Sequence, residues 1–156
     1  MNTKLGIKTE QSTSAAEVLQ KVLANEFVLY TKTRKAHWNI ECNDFYSMHT
    51  FFELQYKELE QYIDDVAERI RTIGHYPIAT LKEFSSITSL TEESRSRNGK
   101  MELLGELLND HETIIKELRS QIYEDNVVLD AGTSDFITSL MGKHEKTAWI
   151  MRSHLK

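Results

Sequence analysis

The chain has little to turn on. Six glycines and one proline are spread over 156 residues, too few for a sandwich or barrel that must reverse about every 8–12 residues. A single cysteine, Cys42, excludes an internal disulfide. No apolar run approaches the roughly 18 residues that a membrane span needs, and the opening stretch MNTKLGIKTEQSTS has no signal-peptide core. A soluble, cytoplasmic protein with no membrane partner is expected. Excess positive charge is missing too: 24 acidic against 19 basic residues give a net charge of −5, which argues against nucleic-acid binding through general charge attraction. What remains is one helical domain, long enough to bury a core without disulfides or structural metal.

Residues 1–13 are polar and without periodicity and read as a mobile tail, leaving 14–156 as the domain. Ser14 and Glu17 have capping-box spacing, and Ala16, Leu19, Leu23, Phe27 and Tyr30 recur at steps of three and four, which predicts a first helix over about 14–39. After a polar break at 41–44, Met48, Phe52, Leu59, Ile63, Val66 and Ile70 mark a long second helix closed by Gly74 and Pro77. The stretch 75–98 is a crossover rich in Ser and Thr, with a short helix over Ala79–Phe84. Met101, Leu104, Leu108, Ile115, Leu118 and Ile122 mark a third helix, and Ile137, Leu140, Ala148, Met151 and Leu155 a fourth. Four helices with one long connection, carrying a short extra helix between helices two and three, match an all-α, ferritin-like four-helix bundle.

On the second helix Glu60, Asp64 and Glu68 form a column one turn apart, and His49 and Glu53 form another i, i+4 pair. The column has two readings, a solvated face offset by Arg69 and Arg71 or part of a divalent-cation site. Residues 53 and 64 are three turns apart, about 16 Å along the axis, so one metal cannot touch both pairs. A second copy packed antiparallel through this helix, however, overlays 49 on 68 and 53 on 64. Each dimer then gains two identical sites of imidazole and carboxylate, a donor set suited to iron, manganese or zinc.

His37 with Trp38 beside it, Ile40, then His49 and Glu53, followed by Ile63, Asp64, Val66, Ala67, Glu68, Arg69, Ile73, Gly74 and Pro77, resemble the Dps family, the ferritin-like proteins of starved cells. Cys42 and Met48 depart from its usual residues, neither at a ligand position. The resemblance implies a hollow homododecamer built from two-fold dimers. Its ferroxidase centres take His37 and His49 from one subunit and Asp64 and Glu68 from the partner, with Glu53 as a further carboxylate near the metal. It also implies Fe2+ as substrate, hydrogen peroxide as the usual oxidant ahead of dioxygen, and a stored ferric oxyhydroxide. A bundle-internal ferritin centre would need Glu-x-x-His, and none of the six histidines has Glu three residues before it.

Trp38 is either a sacrificial electron donor or a packing residue. Asp125, Asp130 and Asp135 serve as loop and cap, with Thr133, Ser134 or Asp135 capping the fourth helix, or else line the acidic three-fold pore that the resemblance implies. His111 and His144 fall on apolar stripes and are expected as hydrogen-bonded core histidines, and Cys42 as a buried or half-buried thiol. The rival function is a nucleoid-associated protein that compacts DNA. It needs a basic tail, and Lys4 and Lys8 against Glu10 do not make one. Twelve copies at −5 carry −60, so the shell repels phosphate and DNA binding is doubtful. A shell that binds metal without oxidising it is the third reading.

Overall fold

The apolar stripes come together as two helical hairpins. The computed structural model describes residues 4–93, 97–123 and 128–156. Among them run α1 (Thr9–Asn39), α2 (Phe45–Thr72), α3 (Leu81–Ile87), α4 (Lys100–Tyr123) and α5 (Ala131–His154). The link between α1 and α2 is so short that the two must run antiparallel, and α4 and α5 form the second hairpin. The crossover through α3 joins the hairpins, giving the all-α four-helix bundle with a short fifth helix. No helix among the described residues is long and apolar enough to cross a membrane.

Leu19, Leu23, Leu29, Met48, Phe52, Leu59, Ile70, Leu104, Leu107, Ile114 and Leu118 are fully buried where the four long helices meet. Each contributes roughly 1.5–3 kcal/mol of transfer free energy. α2 ends in a Schellman motif: His75 N–H donates to Ile70 O and Gly74 N–H to Arg71 O, both 3.0 Å. Gly74 sits at φ 99° there, a conformation a side chain resists. Polar groups on α1 tie down the crossover. Buried Asn25 accepts from Thr88 Oγ1 and Ser89 N–H at 2.9 and 2.8 Å. Lys32 lies 2.6 Å from Asp110 and donates to Thr91 O at 2.8 Å.

Several boundaries differ from the sequence reading. Helix α1 begins at Thr9, so residues 9–13 are helix and not tail, and Ser14 lies inside it; Gln11 Oε1 accepts from Lys8 N–H at the real start. The short helix is shifted onto Leu81–Ile87 because Thr80 and Glu83 form a true capping box. Met101 is exposed, one position off the buried face that Leu103, Leu104 and Leu107 define. The cap of α5 is Asp130, whose Oδ1 accepts from Gly132 N–H and Thr133 N–H at 3.1 and 3.2 Å, and not Thr133, Ser134 or Asp135. Cys42 is half-buried.

Candidate metal centre

The turn between α1 and α2 folds two histidines onto each other. Their rings stack with centroids 3.8 Å apart. His37 Nδ1 lies 2.8 Å from His49 O, and His49 Nδ1 lies 2.9 Å from His37 O. A carbonyl only accepts, so each Nδ1 carries the proton and donates it, and each Nε2 is left with its lone pair. The two exchanged bonds thus fix both rings in the tautomer a metal ion requires. Phe45 stacks on the outer face of His49 at 5.1 Å, and Tyr56 meets His37 edge-on at 5.2 Å.

Glu53 follows His49 by one turn of α2, and the Lys57 ammonium sits 2.5 Å from its Oε1. Lys57, by hydrogen bond and charge, and more weakly the two imidazoles, hold the Glu53 carboxyl below its ordinary value, which favours its anion. Asp64 and Glu68 lie farther along the same uninterrupted helix and are exposed. Asp64 lines an open cleft of about 580 Å³ with Lys57, Glu60, Ile63 and, from α1, Phe27 and Tyr30. The structure therefore joins His37, His49 and Glu53 at one end and leaves Asp64 and Glu68 at the other. Among the described residues, no group of three or more His, Cys, Asp or Glu within one chain could hold a metal ion.

A family model for the ferritin-like domain matches residues 16–156. The DNA protection during starvation protein 2 of Bacillus anthracis is 34% identical over 89% of this chain and 94% of its own. This chain belongs to the Dps family of ferritin-like proteins. A low temperature-induced protein of Nostoc sp. is 35% identical over 97% of this Dps chain and 86% of its own. The crystal structure of the Dps protein from Vibrio cholerae, described as one of a broad superfamily of ferritin-like diiron-carboxylate proteins, superposes with a TM-score of 0.91 at 28% identity, covering 99% of this chain and 97% of that one.

Trp38 is not packed in this Dps bundle: its indole is 64% exposed, with the Arg34 guanidinium 5.0 Å from the ring. Arg34 is the contact that sequence reasoning missed. It also lies 4.6 Å from the Tyr56 ring and donates to Tyr30 Oη at 2.8 Å, which ties the aromatic wall behind His37 together. Tyr30 and Arg34 stand seven and three residues before His37, on its own face of α1, so the helical period held that signal. Of the acidic trio, Asp135 is exposed and Asp125 lies outside the described residues. Asp130 is engaged by Arg69 at 2.8 Å. Burial opposes its ionised form, but hydrogen bonds from Thr133 and Gly132 and the Arg69 charge outweigh that, and its pKa lies below the ordinary carboxylate value.

Proposed function

We propose that this Dps protein oxidises Fe2+ at sites shared across a two-fold interface and stores the ferric product inside a twelve-subunit shell. The observation that carries the reading is the histidine pair, with both Nε2 lone pairs bared by the exchanged Nδ1 bonds. Asp64 and Glu68 stand on the same helix about three and four turns from Glu53. An antiparallel copy of α2 sets the partner subunit's Asp64 and Glu68 against His37, His49 and Glu53 and completes a site of two imidazoles and up to three carboxylates. The imidazoles bind Fe2+, and the anionic oxygens favour the harder Fe3+. With hydrogen peroxide as oxidant, two Fe2+ give two electrons, the peroxide bond breaks, and two protons complete two waters, so no hydroxyl radical leaves. Trp38, beside a ligand and open to solvent, donates an electron when a single iron reacts. Asp135, repeated around a three-fold axis, concentrates Fe2+ at an uptake pore while Asp130 holds α5.

Complementation tests the shared site. Chains carrying His37→Ala with His49→Ala, and chains carrying Asp64→Ala with Glu68→Ala, each assemble and oxidise Fe2+ poorly. Co-assembled from unfolded subunits, random pairing makes about half of the dimers mixed, and one of the two sites in each is intact. About a quarter of wild-type Fe2+ consumption then returns. Mixed shells that stay as inactive as their parents rule out a site divided between chains.

A further inference from the structure

The metal centre leaves two histidines unused. In the middle of the bundle each long helix contributes one polar side chain: Glu26 from α1, Tyr62 from α2, His111 from α4 and His144 from α5. Glu26 and His144 are 0% exposed and His111 is 1% exposed. His144 Nε2 lies 2.8 Å from Glu26 Oε1, and His144 Nδ1 lies 2.8 Å from His111 Nδ1. Tyr62 meets the His144 ring edge-on at 5.8 Å, with Lys143 on the Tyr62 ring. Asp110, next to His111, is held by Lys32. Glu26 Oε2 and His111 Nε2 are buried without a hydrogen-bond partner among the described residues.

Proton counting limits what this chain can do. A hydrogen bond between two Nδ1 atoms holds one proton, on either side of the contact. A second proton there sets one N–H against another and puts two cations side by side, out of water. The alternative sites, Glu26 Oε2 and His111 Nε2, offer a proton no acceptor. The closed bundle therefore tolerates at most one imidazolium in the pair, while the unfolded chain tolerates two. We propose that the Glu26–His144–His111 chain is an acid-sensitive latch on the bundle core, closed while the imidazole pair shares one bridging proton and released when both rings become cations. Burial, and after it the neighbouring His144, holds His111 well below the ordinary histidine value of 6.5. Below that pH the unfolded or opened chain binds a proton that the closed bundle refuses. Stability is complete above it and is lost as the pH falls, by up to about tenfold in the closing equilibrium per pH unit.

The test follows the whole wild-type protein, without iron, from pH 7.5 to 4.5. Backbone amide deuterium exchange in α4 and α5, corrected for the intrinsic rate, reads opening; exchange at each imidazole C2 reads that ring's titration. His111 is expected to titrate well below the ordinary histidine value of 6.5. Opening around His111 and His144 is expected to rise about tenfold per pH unit below pH 6.5. His111→Asn keeps a hydrogen-bonding atom near Nδ1 but cannot become a cation, and its acid-induced opening is expected to be at least about tenfold smaller at pH 4.5. Corrected exchange that stays flat in the wild type, or an Asn variant that opens like it, overturns the latch. Should the variant not fold, opening of the wild type that does not follow the protonation of His111 overturns it equally.

Discussion

Two histidine pairs occupy this Dps chain, and the partner of Nδ1 separates them. At the α1–α2 turn each Nδ1 donates to a backbone carbonyl, so both Nε2 atoms are left out of these bonds. In the bundle centre the two Nδ1 atoms bond each other and His144 spends its Nε2 on Glu26. The same side chain is a candidate ligand in one place and a core element in the other. Backbone carbonyls are the reason, since they accept without titrating and leave the ring's other nitrogen free.

Removing His144 breaks the inner pair with the largest expected effect on stability. His144→Ala leaves the Glu26 carboxyl buried without a partner, and urea unfolding should show a loss of about 3–5 kcal/mol, whereas His49→Ala should stay within about 1 kcal/mol of wild type because its ring stands at the surface end. Equal losses from the two would erase the distinction. The outer pair is read by activity. His37→Ala or His49→Ala should slow Fe2+ consumption by more than about tenfold, and His144→Gln, if folded, should leave it near wild type.

Smaller effects sharpen the electrostatics. Asp130→Ala removes the α5 cap and leaves Arg69 only its hydrogen bonds to Thr133, for about 1–2 kcal/mol near neutral pH. Because the Asp130 pKa is lowered, that contribution is present above the ordinary carboxylate value of 3.8 and is lost as the pH falls below it. Wild type and variant should converge in strong acid, in a window well below the one in which His111 acts. Lys57→Ala frees Glu53 from its counter-ion, and Fe2+ affinity by calorimetry should tighten about twofold, the scale of an exposed i, i+4 pair. The least change is expected with duplex DNA: at −5 per chain, no gel shift should appear at roughly physiological salt without divalent cations.

The outer pair and its carboxylates were legible because helical spacing is a local property. Once α2 is continuous from Phe45 to Thr72, the separation of His49, Glu53, Asp64 and Glu68 follows from rise per residue alone, and so does the distance that keeps one metal ion from touching both pairs within a chain. The inner chain was only half legible. His111 and His144 showed themselves on apolar stripes, but Glu26 did not, although it follows Leu23 by three and precedes Tyr30 by four on the buried face of α1. A carboxylate on such a face is ordinarily read as a solvated edge, because nothing local answers its charge.

Sequence by itself determined the helices, their order, the long crossover and the spacing of the candidate ligand residues, since period, capping and the scarcity of glycine and proline act over a few residues. Tertiary structure alone decided which nitrogen of each histidine is spent. The His37–His49 bonds exist only when the turn brings α1 and α2 together. The Glu26–His144 contact spans 118 residues and the His111–His144 contact 33. A proton's place in such a bond is set by whichever acceptor the packing delivers, and burial then makes that choice costly to reverse.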